Sequence, residues 1–324
     1  MIEEMVHREN KMPGNDKMAD TSPNRTTFLS GLMAKKINTQ QVGAASDATP
    51  DAPQVSADVP SPADSKLYVT AVERALKVLM AFDASRRHLS LSQISALTGL
   101  DISAIQRFAF TLTSLGYLRR DEGTKKYELS PRLLDFAYHY VASNEMLERA
   151  LPYVQQLALD TEEATNLSVL DEADVVFVSR IVSRHVLSRN FQVGSRMPAF
   201  CTAPGLAMLS TLADGDVADI LRKSQLVQYT RLTVTQPEEI LARLCAIRER
   251  GYAFTQEEYL LGDHSVAAAV VDRSGIAHAA INIAVAKPRW HGADDERRFA
   301  DLVIAASAAI SGQQTPLAAL RQER

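Results

Sequence analysis

Residues Leu89–Glu128 read LSLSQISALTGLDISAIQRFAFTLTSLGYLRRDEGTKKYE, and this stretch decides the fold of the N-terminal half. Ser90 and Asp101 are typical N-cap residues, and each precedes an apolar run with helical spacing. A glycine follows each run, and a glycine in the left-handed conformation commonly ends a helix. These signals predict two helices joined by a short turn, Leu91–Thr98 and Ile102–Leu115.

A basic hairpin follows the second helix. Tyr117–Arg120 and Lys126–Leu129 have the character of two short strands, and Gly123 marks the turn between them. Helix, turn, helix and hairpin in this order are typical of a winged helix-turn-helix. In that motif the second helix lies in the DNA major groove and the hairpin holds the flanking phosphates.

The second helix combines an inward apolar stripe with an outward polar face. On that face Gln106 can bond an adenine through two hydrogen bonds, and Arg107 can reach a guanine or a phosphate. The alternative is a winged helix that makes protein contacts only, but the polar face and the local charge favour DNA. The residues predicted to bind DNA are Ser103, Ala104, Gln106, Arg107, Thr111, Arg119, Arg120, Lys125 and Lys126.

Charge is distributed unevenly along the 324 residues, whose formal net charge is -4. Residues 66–132 contain eleven Lys and Arg against six Asp and Glu, whereas both flanking parts are net acidic. A basic module on an acidic body predicts a polyanionic partner for that module.

Composition and periodicity divide the chain into five segments. The stretch before residue 66 is rich in small and polar residues without a periodic apolar face, which predicts disorder. The expected segments are a disordered extension over 1–65, the winged helix-turn-helix over 66–130, a linker helix over 131–145, a second domain over 146–313 and a tail over 314–324.

The second domain mixes helix and strand signals, with hairpins between strands, and this predicts an α+β fold built on an antiparallel sheet. The predicted strands are Thr165–Leu170, Val175–Ile181, Ser188–Val193, Val266–Val271 and Ala277–Val285. The predicted helices are Leu147–Thr161, Pro204–Leu212, Asp216–Lys223, Pro237–Arg250 and Asp294–Ser311.

Several classes of protein are disfavoured. Cys201 and Cys245 form no disulfide framework or zinc-ligand spacing, so we expect a reducing cytoplasm. No apolar run approaches the roughly 18 residues that a membrane helix needs, and no signal peptide is expected. The sequence also contains no phosphate-binding GxxxxGKS loop, HExxH motif or GxSxG elbow. We therefore expect no enzyme, no cofactor and no metal site.

Taken together, several segments resemble the IclR-type bacterial transcriptional regulators over about residues 66–313. AVERALKVLMAF and the stretch from Leu89 to Phe136 resemble the family's winged helix-turn-helix. FQVGSRMPAFCTAPGLAMLSTL, IRERGYAFTQEEYLLGDHSVAAAVVD and GIAHAAINIA resemble its effector-binding domain. Within the family, GSRMPAF, GYAFTQEEY and AAINIA are most similar to regulators of aromatic-acid catabolism of the protocatechuate, p-hydroxybenzoate or phthalate type.

The resemblance implies a GAF-like effector domain, homodimers joined through the DNA-binding half, and in many cases dimers of dimers. It also implies paired half-sites about one DNA turn, roughly 34 Å, or a multiple of it apart. The loop Met197–Gly205, leading into the helix Pro204–Leu212, matches the family's effector-binding region. A helix N-terminus of this kind suits an anion, although an ordinary loop-to-helix junction has the same sequence character.

The resemblance also supplies the expected effector-binding residues. Thr255 stands where some relatives have Asp, Ser265 where some have Cys, and Asn282 and Ala284 where small hydroxyls are common. Loss of the Asp charge fits a larger anionic ligand rather than a small keto acid. The full expected set is Cys201, Thr202, Ala203, Pro204, Thr255, His264, Ser265, Asn282 and Ala284.

His264 and Arg196 are candidates for positive charge near the ligand. Trp290 and His291 are candidates for closing the pocket, and the alternative is that they simply end a strand. For His264 the alternative is a core or surface histidine without a binding role. The sequence as a whole predicts an effector-responsive, DNA-binding transcriptional regulator of a catabolic operon, with an aromatic acid as effector. The alternative function is a GAF-type small-molecule sensor that acts by protein contact and does not bind DNA.

Overall fold

In the N-terminal domain, local capping signals set the helix ends. A computed structural model of the protein describes residues 65–183, 185 and 191–312. Ser90 accepts a hydrogen bond from the Gln93 amide in a capping box, and Asp101 accepts one from the Ala104 amide. The elements of this domain are α1 (Thr70–Met80), α2 (Leu91–Thr98), α3 (Ile102–Ser114), β1 (Leu118–Arg120) and β2 (Tyr127–Leu129).

The three helices and the hairpin share one small apolar core. Val78 of α1, Ile94 of α2 and Ile105 of α3 are completely buried in it, and Leu118 joins them from the hairpin. The predicted winged helix-turn-helix is therefore present, because each inward stripe of the sequence packs against the other two.

The first helix has an exposed apolar face. Val69, Val72, Leu76 and Met80 lie along one side of it and are 60%, 57%, 54% and 80% exposed. The core of the domain instead uses the opposite side of α1, through Val78. The domain alone therefore leaves an apolar helix face uncovered.

The linker is a composite of two helical segments. The Ser130 side chain caps a 3-10 turn, Pro131–Leu133, which continues as α4 (Leu134–Ala142). A new helix, α5 (Glu145–Thr161), begins after Asn144, whose side chain accepts hydrogen bonds from the Met146 and Leu147 amides. The predicted single linker helix is thus a 3-10 turn plus a short α-helix.

The second domain is built on a six-stranded sheet in which every pairing is antiparallel. The strand order is β5-β4-β3-β8-β7-β6. This arrangement confirms the predicted α+β class. The strands are β3 (Ala164–Asp171), β4 (Asp174–Ile181), β5 (Arg196–Pro198), β6 (Ala253–Gln256), β7 (Asp263–Val271) and β8 (Ala277–Ala286).

Helices cover both faces of the sheet. On one face α5 packs together with α9 (Ala293–Ile310) over a core that includes Leu167 and Ile281. On the other face lie α6 (Ala203–Leu209), α7 (Asp214–Lys223) and α8 (Pro237–Arg250). The core on this second face includes Phe177 and Ala267.

Some predicted segments fall outside the described residues or differ from them. The predicted extension up to residue 64, the tail and residues 188–190 of the predicted strand Ser188–Val193 lie outside them. The strand found in that region is β5, and β6 was not predicted. No helix among residues 65–183, 185 and 191–312 has the length and apolar character needed to cross a membrane.

Candidate ligand pocket and nucleic-acid interface

The outward face of α3 has the predicted composition. Ser103, Gln106, Arg107 and Thr111 are exposed, and Ala104 is half-buried. The Ser103 hydroxyl donates to the Asp101 carboxylate at 2.6 Å, and the Thr111 hydroxyl donates to the Arg107 carbonyl at 3.0 Å. Both hydroxyls have therefore found partners within the helix, which leaves Gln106 and Arg107 as the long side chains able to extend toward bases.

The turn of the basic hairpin is closed by hydrogen bonds to Asp121. The Thr124 amide and hydroxyl donate to the Asp121 carboxylate at 2.6 and 2.7 Å. Arg119 and Arg120 are exposed on β1, and the guanidinium of Arg120 lies over the Tyr127 ring. The remaining predicted phosphate contacts are Lys125 and Lys126. Lys125 pairs with Glu122 at 2.9 Å, a contact that the sequence analysis missed.

A cleft separates α3 from the hairpin. Gln106, Arg107 and Phe110 line it from α3, and Arg120 and Glu122 line it from the hairpin side. Four of the predicted DNA-binding residues, Gln106, Arg107, Thr111 and Arg120, therefore line one surface feature. The other five, Ser103, Ala104, Arg119, Lys125 and Lys126, do not line it.

In the second domain, a row of hydrogen-bonded polar side chains crosses four strands. The Arg180 guanidinium donates to Asn166 Oδ1 at 2.7 Å, and Asn166 Nδ2 donates to Asn282 Oδ1 at 3.4 Å. Asn282 Nδ2 in turn donates to the Ser265 hydroxyl at 3.0 Å. The row runs from β4 through β3 and β8 to β7, and it is the floor of a cavity.

Strand register explains why these residues meet. Asn166 lies opposite Arg180 on one side and opposite Asn282 on the other. Ser265 lies between Thr255 and Ala284. Because successive side chains alternate between the two faces of a strand, all of these residues share one face of the sheet.

The roof of the cavity is the segment that leads into α6. The predicted residues Cys201, Thr202, Ala203 and Pro204 all line the cavity. Gly205 allows the start of α6 to pack directly against the backbone of Ala199. A Cβ at this position would lie 2.2 Å from the carbonyl oxygen of Ala199. The helix is shorter than predicted and ends at Leu209, because Ser210 already takes the C-cap position.

Aromatic rings form one side of the cavity. Phe177 and Phe191 are 6.0 Å apart between ring centroids, and Phe191 is 6.4 Å from Tyr259. The guanidinium of Arg180 lies over Phe177 at 5.3 Å and over Phe191 at 5.9 Å. The empty space amounts to about 520 Å³, counting the solvent at the mouth. The cavity thus combines an aromatic wall with a cation and neutral polar groups.

The charges around the cavity are controlled by partners and by burial. Glu258 is almost fully buried, and Arg243 neutralises it through two contacts of 2.8 and 2.7 Å. Burial raises the pKa of the Tyr259 hydroxyl and of the Cys201 thiol, so both are neutral at pH 7. Among the described lining residues, Arg180 carries the positive charge, and Asp263 is the other acidic residue.

The structure corrects the predictions for His264, Arg196 and the residues of the Trp290 segment. His264 is buried on the opposite face of the sheet, where its ring stacks on Trp290 at 5.0 Å. Arg196 lies outside the cavity and pairs with Asp171 and Asp174. Trp290 also stacks on Phe254, at 5.1 Å, behind the sheet. None of the three lines the cavity, and neither does His291.

The other predicted positions, Thr255, Ser265, Asn282 and Ala284, do line the cavity. The sequence analysis missed Arg180, Asn166 and the aromatic wall. Arg180 and Asn166 lie on a predicted hairpin, but regular pairing from its turn would have put Asn166 opposite Ser179. A β-bulge between Leu167 and Ser168 shifts the register and brings Asn166 opposite Arg180. No signal in the sequence showed that the face they share looks toward the α6 segment.

Comparison with known proteins identifies the family. Residues 71–122 match the description "IclR helix-turn-helix domain", and residues 138–312 match "Bacterial transcriptional regulator IclR C-terminal". The chain belongs to the IclR family of bacterial transcriptional regulators. It is accordingly a DNA-binding regulator of transcription that responds to an effector, and the comparisons give no support to the protein-contact alternative.

Individual relatives are similar over most of their length. The Pca regulon regulatory protein of Pseudomonas putida is 31% identical over 74% of this chain and 82% of its own. The p-hydroxybenzoate hydroxylase transcriptional activator of Acinetobacter baylyi is 30% identical over 66% of this chain and 80% of its own.

Solved structures share the fold. An IclR transcriptional regulator from Alicyclobacillus acidocaldarius superposes with a TM-score of 0.67 at 22% identity, covering 76% of this chain and 99% of its own. An IclR homologue from Microbacterium hydrocarbonoxydans, solved with 4-hydroxybenzoate, has a TM-score of 0.65 at 22% identity and covers 75% and 98%.

Proposed function

We propose that the effector of this regulator is an aromatic carboxylic acid and that it binds in the cavity between the sheet and α6. The observation that carries the proposal is the side-by-side placement of the aromatic wall and Arg180. The names of two relatives concern the Pca regulon and p-hydroxybenzoate hydroxylase, and one structural neighbour was solved with 4-hydroxybenzoate. The proposed target is therefore an operon for aromatic-acid catabolism.

The geometry of the cavity suggests a binding mode. Arg180 pairs with the carboxylate, because a planar guanidinium and a carboxylate make strong charge-assisted hydrogen bonds. The ring then lies against Phe177, Phe191 and Tyr259. A hydroxyl on the ring reaches the Asn282 and Ser265 end of the polar row, where amide and hydroxyl groups can both donate and accept.

Arg180→Gln tests this binding mode. A hydrogen bond to a charged group contributes about 1.5–3 kcal/mol, so the variant should bind 4-hydroxybenzoate or protocatechuate about 10- to 100-fold more weakly. Isothermal titration calorimetry gives the affinities, and thermal shift gives the stabilisation by each acid. Arg196→Gln is the matched control, since Arg196 pairs with surface carboxylates outside the cavity.

Two results would contradict the proposal. One is stabilisation of the protein by glyoxylate or pyruvate alone, with no effect of any aromatic acid. The other is an Arg180→Gln variant that melts at the wild-type temperature and binds the aromatic acid with unchanged affinity.

On the DNA side, we propose that the predicted residues of α3 and the hairpin form the interface. Gln106 and Arg107 read bases, and the basic hairpin residues hold phosphates. The protein binds as a homodimer or a dimer of dimers, and the exposed apolar stripe of α1 supports this assembly because such a face needs a cover. We propose that it acts in the bacterial cytoplasm, without a catalytic activity of its own.

Arg107→Ala tests the DNA interface. Loss of one base or phosphate contact should weaken operator binding about 10-fold or more for each half-site. The wild-type affinity should fall steeply with salt, because bound phosphates release counterions. Fluorescence anisotropy against upstream DNA provides both measurements. Arg297→Ala is a suitable control, since Arg297 is exposed on α9.

The expectation fails if Arg107→Ala binds the operator as tightly as the wild type. Salt-insensitive binding by the wild type would also overturn it.

Signal transfer is proposed to run through the linker. Ligand binding would favour one arrangement of the two DNA-binding heads in the dimer, and α4 would transmit that preference. The effector then changes operator affinity only to the extent that it binds the two arrangements differently.

A further inference from the structure

Phe110 is an exposed aromatic residue at the centre of the outward face of α3. Its side chain is 72% exposed, more than that of Ile102 or Leu115, the other exposed large apolar residues on or just after this helix. A single exposed apolar residue needs no explanation by itself. The position of Phe110 relative to the proposed base-reading residues is what distinguishes it.

The spacing puts Phe110 on the reading face. Counting from Ser103, the residues Gln106, Arg107 and Phe110 follow at intervals of three, four and seven, so they lie on one side of the helix. Helices that read the major groove in homeodomains present their contact residues with the same spacing. Phe110 also borders the cleft toward the hairpin, beside Arg120.

The surroundings of Phe110 fit nucleic acid better than an apolar protein surface. Arg107 stands one turn before it on α3, and Arg119 and Arg120 are exposed on the neighbouring hairpin. These basic groups suit the phosphates that flank a groove. Within the major groove, the apolar feature that a base edge presents is the C5-methyl group of thymine.

We propose that Phe110 contacts a thymine methyl in each operator half-site and thereby selects T·A over the other base pairs at that position. This inference rests on the proposed DNA interface on α3. It adds a specificity determinant whose recognition is apolar, beside the hydrogen-bonding readers Gln106 and Arg107.

Deoxyuridine scanning of the operator tests the contact, because it removes only the methyl group. A tight operator is first selected with the wild-type protein, and each thymine is then replaced by deoxyuridine, in both half-sites at once. Affinities come from fluorescence anisotropy. The wild type should lose about fourfold per half-site at one position, as expected for one methyl group removed from an apolar contact.

Two variants at Phe110 are measured on the same thymine and deoxyuridine operators. Phe110→Ala should bind the thymine and deoxyuridine operators equally well, and Phe110→Leu should recover part of the preference for thymine. Both should melt at the wild-type temperature, because the side chain is mostly exposed.

The inference is overturned if Phe110→Ala keeps the wild-type deoxyuridine profile, whatever its absolute affinity. It is also overturned if no thymine position affects the wild type while Arg107→Ala still weakens binding. Failure of the wild type to bind any DNA would instead refute the α3 interface itself, so the two failures are distinguishable.

Discussion

His264 shows how one position along a strand changes the role of a residue. Its neighbours Asp263 and Ser265 both line the cavity, so alternation sends His264 to the other face of the sheet. There it is 2% exposed and stacks on Trp290. The resemblance pointed to the right segment of the chain, but the histidine packs behind the sheet and does not line the cavity.

The burial of His264 predicts a pH dependence of stability. Burial lowers the pKa of its imidazole below the ordinary value of 6.5, and Glu257 opposes this only in part. Between the lowered pKa and 6.5 the unfolded chain binds more protons than the folded protein. The free energy of unfolding should therefore fall as the pH drops below about 6.5, by at most about 1.4 kcal/mol per pH unit from this group.

Urea unfolding at several pH values, for wild type and His264→Phe, measures this effect. Phenylalanine keeps a ring against Trp290 but cannot be protonated, so the variant should lose part of the acid destabilisation. His88→Gln is the control, because His88 is an exposed histidine beside Glu128. Parallel pH profiles for wild type and His264→Phe would contradict the assignment.

The place of Arg180 in the polar row depends on long-range strand pairing, which local sequence patterns do not show. Its partner Asn166 is 14 residues away on the same hairpin, but Asn282 is 116 residues from Asn166. Alternation alone places residues on a face. Only the strand order β4-β3-β8-β7 brings the three side chains and Ser265 into one row, and that order depends on long-range pairing.

Elements with strong local signals were predictable, and those without them were not. Helices α2 and α3 begin at the predicted caps, since a side-chain cap is a contact within a few residues. The four-residue strand β6 has no such signal and is specified by its pairing with β7. The helix predicted at Pro204–Leu212 is present as the shorter α6, and the close contact of Gly205 with Ala199 in it is a tertiary feature that the local signals did not show.

Helix α1 has an apolar face that does not contribute to the core of its own domain. The apolar stripe of Val72, Leu76 and Met80 has helical spacing. It is exposed within the single chain, because the other side of α1 provides Val78 to the core. The uncovered side of α1 is therefore available for contact with a second copy of the chain.

At the scale of the whole molecule, α1 and α4 each carry exposed large apolar residues. Leu76 is 54% exposed, and on α4 Leu134, Phe136 and Tyr138 are 68%, 59% and 69% exposed. Apolar surface of this extent commonly marks an interface. A dimer that covers it would present two copies of α3 to paired half-sites, which links the stability of the assembly to DNA affinity.

Leu76→Glu should therefore separate the dimer and weaken operator binding together. A charge placed in an apolar interface has no partner and must be desolvated. Loss of linked half-site binding should reduce the affinity for a palindromic operator by about 100-fold or more. Affinity for a single half-site should stay the same, because Leu76 lies on α1, away from the reading face of α3. Analytical ultracentrifugation and anisotropy measure the two effects.

Leu159→Glu is the matched control for that experiment, since Leu159 is a helical leucine on α5 with 75% exposure. It should leave both the mass and the operator affinity unchanged. If Leu76→Glu remains dimeric and binds the palindrome normally, the α1 stripe is not the interface. A monomer that still binds the palindrome with full affinity would instead break the link between assembly and DNA binding. Because the two readouts are independent, dimerisation through α1 and cooperative use of paired half-sites can each fail separately.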